Sequence, residues 1–428
     1  MIQRLYNLLS QNNYSYSTDT RTLNSGDVFF ALSGESFNGN TFAQQALEKG
    51  ASYMVVDDVE FYINNDDRYI LVDSTYDIFL EIAAYHRQQF TIPIIAIAGS
   101  NGKTTTKELT TAVLSKEYQV LSTPRNDNNN LGVAKTLFEL RSHHDMLVIE
   151  LGSNTPGELD HAIYLTQPTH GLVTNIGKEH LEFFGSIEGV IKEECSLYDF
   201  LYKNKAYILA PCDDVSIGIY LSEHNITPNR IYGADIQIVD QGKTTLDISW
   251  RGNTIATSFF GSHNKQNIAA AIALGEIFDV DEENIVAGIL QYLPANTRSQ
   301  VIEQGGATFI LDFYNANPTS MRLALESFQN LQTERKKIII LGDMLEMGEH
   351  AQSEHQEILE YVLTMDIDDA LLTGPYFGKL ESKYHHYEQV DDLVTALTHY
   401  DLGNSLVLIK SSKGILYVHE GFRKQFGF

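Results

Sequence analysis

The chain has 428 residues, 43% of them apolar, and 30 basic against 56 acidic side chains give a formal net charge of −26. That length suits about three domains, and a field of that sign excludes nucleic acid and anionic membrane surfaces as general partners. Apolar runs fall short of the roughly 20 residues of a membrane span, so no membrane insertion is expected, and two cysteines, Cys195 and Cys212, argue against a disulfide framework and for a reducing cytoplasm.

The opening "MIQRLYNLLSQNN" has neither a long apolar core nor a small-residue cleavage site, so no signal peptide is expected. Residues 1–88 form a first unit, with strands in "GDVFFALSG" and "SYMVVDD" and a helical pattern in "FAQQALEKG". A helix is predicted from Ser74, where Asp77 three residues on resembles a capping box and Ile78, Ile82 and Ala83 share a face. "QQFTIP" breaks it, and Pro93 marks the start of a new unit.

Residues 89–295 carry the strand-then-loop units "PIIAIAGS", "DMLVIELGS", "THGLVTNIG" and "KAYILAP", with helical patterns between the first of them. Such alternation predicts a mostly parallel, doubly wound sheet with helices on both faces. From Ala234 to Phe260 the pattern becomes that of a small antiparallel insert, with turns at Gln241-Gly242 and Arg251-Gly252-Asn253, and the helix "KQNIAAAIALGEIF" closes the unit. Residues 296–428 return to α/β texture in "KKIIILGDM", "DALLTGP" and "SLVLIKSSKG". The expected fold class is α/β in three domains, with ligands at strand ends.

Chemistry concentrates first in "IIAIAGSNGKTTT". An apolar strand ends at Gly99, and Ser100, Asn101 and Gly102 lead to Lys103, Thr104 and Thr105 at the start of a helix. A helix N-terminus offers free amides and a positive dipole end to phosphate oxygens; the lysine can reach terminal phosphates, and Thr104 can ligate Mg²⁺. Only three residues separate Gly99 from Lys103, where the common loop has about five. The plainer reading is a glycine turn followed by a helix with a solvated lysine. Glu150 ends the run "DMLVIE", where a nucleotide site needs a carboxylate facing a metal. His180 follows a strand end, and a neutral imidazole can ligate a divalent ion, although Mg²⁺ prefers oxygen.

Taken in order, "GSNGKTTT", "IELGSNTPGE", "TNIGKEHLE", "GSHNKQN" and "DFYNANPTSM" resemble the Mur ligases of peptidoglycan synthesis, a family with a short phosphate loop of this kind. Within it, "YNANPTSM", "LGDMLEMGEHAQSEH" and "TDTRTLNSGDVFFALSGESFNGNTF" are most similar to the branch that adds D-alanyl-D-alanine. The resemblance implies an N-terminal UDP-substrate-binding domain, a central P-loop-type ATP-binding domain and a Rossmann-like C-terminal domain. It also implies a cytoplasmic, ADP-forming ligase that uses ATP and Mg²⁺. The ligase would join D-alanyl-D-alanine to UDP-N-acetylmuramoyl-tripeptide through an acyl phosphate. A monomer is expected.

Carried over residue by residue, the resemblance implies that the loop from Gly99 to Thr105 holds the ATP phosphates and a Mg²⁺. Glu150 and His180 would place the metals. His263, Asn264 and Asn267 would lie near the adenine, Arg298 would contact the γ-phosphate and Asp312 would hold the ribose. Thr20, Arg21, Asn38 and Gly39 fall in the uridine-binding stretch. Asn126, Asn128 and Asn129 would approach the substrate's diphosphate and sugar, with Tyr314, Asn315 and Lys413 also on the substrate side. Because Arg298 and Asp312 lie in a different unit from Lys103, domain closure would complete the site.

The chain also departs from the pattern. The family usually carries a CO₂-modified lysine 14 residues after the histidine, where this sequence has Glu194. Lys192 lies two residues earlier, about 200° around a helix. Glu194 is expected to supply its carboxylate directly, through closer approach of the helix or a bridging water. Lys413 stands where arginine is common, Arg125 and Asp127 where glycine and leucine are, and Ala134 where proline is. The competing readings are the ligase adding the third amino acid, a folylpolyglutamate synthase, and a nucleotide-binding scaffold that has lost activity.

Overall fold

The computed structural model describes residues 1–34, 36–240, 242–294 and 297–425, and its strands form four sheets. In the first, Tyr16–Ser17, Val28–Phe30, Tyr53–Val56 and Tyr69–Leu71 pair in chain order, all parallel. The N-terminal stretch is itself a helix, Ile2–Gln11, which buries Leu5, Tyr6 and Leu9. The helix Thr75–Arg87 begins after Ser74 as expected, capped by one half of the expected box, the Asp77 N–H donating to Ser74 Oγ at 3.1 Å. Its last residues join the first unit to the second. The Arg87 guanidinium donates to the carbonyls of Thr166 at 2.6 Å and Gln167 at 3.0 Å. One apolar core accordingly runs from Leu5, Phe30 and Phe79 into Ala98, Leu147 and Val173 of the next sheet.

That sheet has six strands. Their spatial order is Arg230–Tyr232, Tyr207–Pro211, His170–Val173, Ile94–Ala98, Met146–Glu150 and Val120–Ser122. Every pairing is parallel. Ala96 and Ala98 face one core while Ile95 and Ile97 face the other, so both faces are covered and the strand reads as an unbroken apolar run. Ile94–Ala98 lies between a strand reached by turning to one edge and a strand reached by turning to the other, which opens a crevice at their carboxyl ends.

The insert is an antiparallel sheet of Gln237–Asp240, Asp247–Trp250 and Asn253–Ala256. The expected turn at Gln241 lies outside the described residues. At the other turn Arg251 (φ 48°) and Gly252 (φ 81°) form a two-residue hairpin loop of the type that matches strand twist. Asn253 already pairs with Trp250, so it begins a strand instead of ending the turn.

The last sheet runs Gln300–Gln304, Ala307–Asp312, Ser405–Lys410, Lys336–Gly342, Asp369–Thr373 and His385–Tyr387. Only its first strand is antiparallel, and apolar cores cover both faces. The expected boundary at 295/296 lies outside the described residues.

Candidate active site

The short loop owes its shape to what lies beside it. Gly99 (φ 115°) and Gly102 (φ 81°) are in left-handed backbone, and a Cβ would meet Thr174 Oγ1 at 2.3 Å in the first case and Asn267 Oδ1 at 2.3 Å in the second. The segment after strand His170–Val173 supports the loop. Ser100 N–H donates to the Asn175 carbonyl at 2.9 Å, and Thr174 Oγ1 and Asn175 Nδ2 donate to the Asn101 carbonyl at 2.7 and 2.8 Å. Gly102 then opens the helix Lys103–Leu114.

Lys103 folds back over this turn and donates through Nζ to the Gly99 carbonyl. Glu179 Oε2 is 3.9 Å from the same nitrogen. Burial opposes the lysine's charge, but Glu179, Glu194 and Glu150 outweigh it and hold the ammonium above its usual pKa.

Glu150 sits at its strand end as expected, accepting from Thr104 Oγ1 at 3.0 Å and Asn128 Nδ2 at 2.8 Å. Glu194 is fully buried beneath the loop, where its Oε2 accepts the Gly99 N–H at 2.5 Å, while Lys192 is exposed. Burial pushes the Glu194 carboxyl up to about 7, against the pull of Lys103. His180 takes a left-handed backbone (φ 46°), with Nε2 at 3.9 Å from Glu179 Oε2 and Nδ1 at 2.6 Å from Glu346 Oε2. Burial works against a charge on the ring, but Glu346 and Glu179 raise its pKa overall.

The third unit supplies the opposite wall. Asp312 accepts the Ser299 N–H at 3.2 Å and pairs with Lys410 Nζ at 2.8 Å, its register neighbour on the adjacent strand. The Arg298 guanidinium lies over the Tyr314 ring, 3.7 Å from its centroid, with Lys413 Nζ at 5.0 Å. Asn317 Nδ2 reaches across to Asn101 Oδ1 at 2.9 Å. His263 is pushed down to about 4 by burial, and Asn264 and Asn267 bond to each other at 2.9 Å beside it.

These groups enclose a cavity of about 360 Å³. All the ATP-side and substrate-side residues anticipated in the central and third units line it, except Gly99, Asn129 and Glu194. Gly99 is the buried first residue of the loop, Glu194 lies beneath it, and Asn129 caps the helix Asn130–Phe138 through the Gly132 N–H at 2.8 Å. Asn38 lines a separate, open cavity with Ser33, Phe37 and Asp57. Gly39 packs beside it, where a Cβ would meet the Leu32 carbonyl at 2.0 Å. Thr20 bonds to Gln45 at 2.9 Å, Arg21 pairs with Asp19 at 2.6 Å on the surface, and neither lines that cavity.

Sequence reasoning passed over several groups. Asn175 and Glu179 lay inside the quoted "TNIGKEHLE", so the motif itself was the signal. Lys107 is fully buried, with Nζ donating to the carbonyls of Thr123 at 2.7 Å and Arg125 at 2.5 Å, which pins the loop carrying Asn126 and Asn128. Glu346 lay inside the motif "LGDMLEMGEHAQSEH", but neither it nor Lys410 had a partner legible locally, because His180 and Asp312 come from distant parts of the chain.

Three family models match in succession: the Mur ligase family catalytic domain over residues 14–87, the Mur ligase middle domain over 97–275 and the glutamate ligase domain over 297–413. The UDP-N-acetylmuramoyl-tripeptide–D-alanyl-D-alanine ligase of Bacillus subtilis is 30% identical over 424 residues, covering 94% of this chain and 91% of the relative. The chain belongs to the Mur ligase family. The Escherichia coli ligase of the same name is 32% identical over 369 residues, covering 84% and 80% of the two chains. Among solved Mur ligases, MurF from Acinetobacter baumannii superposes with a TM-score of 0.84 at 26% identity, covering 99% of this chain and 97% of that one. MurF from Thermotoga maritima, solved in complex with ADP, shares the fold with a TM-score of 0.82 at 24% identity, over 96% and 98% of the chains.

The donor set of this Mur ligase suits a hard cation. Glu150 Oε2, Glu179 Oε1 and Glu194 Oε1 are buried with no hydrogen-bond partner. Among the described residues no three His, Cys, Asp or Glu side chains converge on one point. The unpartnered carboxylate oxygens fit Mg²⁺, which prefers oxygen ligands and completes its shell with water and phosphate oxygens.

Proposed function

We propose that this chain is an ATP-dependent, ADP-forming ligase that joins D-alanyl-D-alanine to UDP-N-acetylmuramoyl-tripeptide in peptidoglycan precursor synthesis. One observation carries the reading beyond family membership: Lys103 of the central unit and Arg298 and Asp312 of the third face the same cavity.

A peptide carboxylate is a poor electrophile. It attacks the γ-phosphate of ATP to form an acyl phosphate, ADP leaves, and the dipeptide amine attacks the acyl carbon. Inorganic phosphate departs from the tetrahedral intermediate. Anions meet at both steps, so the protein's work is the placing of positive charge. Lys103 and the amides of the loop from Ser100 to Thr105 hold the ATP phosphates, and Arg298 approaches from the opposite wall, stacked on Tyr314. Asp312 takes the ribose, and His263, Asn264 and Asn267 take the adenine. Glu194 acts from beneath, holding the Gly99 amide and balancing the Lys103 ammonium. Thr104, Glu150 and His180 would hold Mg²⁺, which neutralises phosphate charge when bound.

On the acceptor side Asn126, Asn128, Tyr314, Asn315 and Lys413 meet the muramoyl peptide and the dipeptide. Asn38, with Thr20, Arg21 and Gly39 in the same stretch, meets the uridine end. The working unit is a cytoplasmic monomer of three domains, 1–88, 89–295 and 296–428, with closure of the third excluding water from the acyl phosphate.

Phosphate release with ATP and the muramoyl tripeptide tests this. D-Alanyl-D-alanine should support release, single amino acids should not, and Lys103→Ala should abolish turnover while the protein stays folded. ATP binding without release under any pairing would instead favour a scaffold.

A further inference from the structure

We propose that Glu193 is a positioning residue for the muramoyl substrate: from the helix that also carries Glu194 it holds Ser153, and through Ser153 it fixes the cavity wall on which Asn128 rests. The substrate named here rests on the ligase reading, whereas the pairing itself does not.

Successive residues of a helix point about 100° apart, so Glu193 and Glu194 of the helix Ile187–Lys203 reach different neighbours. Both are buried. Glu194 turns to the phosphate loop at Gly99, and Glu193 turns to the segment that follows Glu150. Its Oε1 accepts from Ser153 Oγ at 2.7 Å and from the Leu159 N–H at 2.9 Å, and its Oε2 accepts the Gly157 N–H at 2.8 Å. The helix Glu158–Thr166 has no side-chain cap of its own, so a carboxylate 34 residues beyond Leu159 supplies one.

Capping accounts for the two backbone bonds but not for the bond to Ser153. Ser153 is buried and lines the cavity with Gly152 and Asn154. Its hydroxyl carries one proton, and the charged carboxylate at 2.7 Å is a stronger acceptor than the Thr155 carbonyl at 2.9 Å. Beside it, the Gly152 N–H donates to the Asn128 carbonyl at 2.9 Å, and a Cβ on Gly152 would meet the Asn128 side chain at 2.7 Å. Asn128 in turn donates to Glu150 Oε1 at 2.8 Å. Contacts therefore run from Glu193 through Ser153 and Gly152 to Asn128, which faces the cavity on the side of the muramoyl substrate. An amide has one acceptor oxygen where this position uses two, so the role needs a carboxylate.

The test compares Ser153→Ala, Glu193→Gln and the double variant in the full chain. Ser153→Ala leaves both acids and both capped amides in place. It should raise KM for UDP-N-acetylmuramoyl-tripeptide about 5- to 20-fold, the scale of a displaced substrate contact, while kcat and KM for ATP stay within about twofold. Glu193→Gln should raise the same KM at least as much and also lower the melting temperature. In the double variant KM should match that of Glu193→Gln alone, because both changes break one link. Ala162→Gly weakens the same helix away from the cavity and should lower melting with KM unchanged. Hydrogen exchange without substrate is the second arm: the Gly152 amide should exchange faster in Ser153→Ala, while the Gly157 and Leu159 amides stay protected. Effects on KM that multiply in the double variant would mean that Ser153 touches substrate directly, and would overturn the proposal. So would an equal rise in KM for ATP, an equal rise in Ala162→Gly, or a native exchange rate at Gly152. A native chain that releases no phosphate counts against the ligase reading alone, and the exchange rates then decide the pairing.

Discussion

The backbone N–H of Gly99 donates to the carboxylate of Glu194 at 2.5 Å, joining the first residue of the phosphate loop to a helix 95 positions further along the chain. The carboxylate is fully buried, and its other oxygen has no hydrogen-bond partner. It supports the loop from below, close enough to Lys103 to act on its charge.

The pH dependence of Glu194 follows from its raised carboxyl. Its pKa goes from 4.5 to about 7 on folding, so the folded state binds this proton more tightly. The stability it contributes is complete below the unfolded value and is lost as pH rises through about 7. Glu194→Gln, neutral throughout, should melt higher than the native protein at pH 8 and alike at pH 4.5. It should also lose turnover by about tenfold or more, because Lys103 loses a counter-charge. Equal melting shifts at both pH values would refute the buried titration.

Asn317 separates fold from function. Its Oδ1 caps the helix Pro318–Gln329 through the Ser320 N–H at 2.8 Å, while its Nδ2 reaches Asn101. Asn317→Asp keeps the cap acceptor and loses the amide donor. Melting should change by less than about 0.5 kcal/mol, while kcat/KM for ATP falls about tenfold. An unchanged kcat/KM would show that the contact between the units is incidental.

Lys107 should matter to the acceptor substrate more than to ATP. Lys107→Met leaves the Thr123 and Arg125 carbonyls without their donor and should cost about 2–4 kcal/mol in denaturant unfolding. Its steady-state signature is a KM for the muramoyl substrate that rises more than the KM for ATP. The reverse order would mean that the loop carrying Asn126 and Asn128 serves the nucleotide.

His86 predicts the acid limb of stability. It is fully buried between Tyr6 Oη at 3.2 Å and the Leu140 carbonyl at 3.1 Å, so Nε2 donates and Nδ1 accepts. Burial lowers its pKa from 6.5 to about 4, so its contribution is full above 6.5 and is lost as the pH falls towards 4. His86→Gln should flatten the decline in melting temperature between pH 6.5 and 5. A slope identical to native would remove His86 from the account.

Local pattern was enough for the glycine-to-lysine loop, for Glu150 at its strand end and for the Ser74 cap, because each depends on residues adjacent in the chain. Period and capping chemistry also located the parallel sheets and the hairpin at Arg251-Gly252, missing its edge by one residue. The neighbours across the sheets were not legible. Lys410 meets Asp312 because Ser405–Lys410 inserts between Ala307–Asp312 and Lys336–Gly342, and a continuous apolar run does not say which strand lies beside it. The same holds for Glu194 under Gly99 and Glu346 beside His180. A carboxylate's role depends on whether water or a cation surrounds it, and that environment is set by which distant segments close over it.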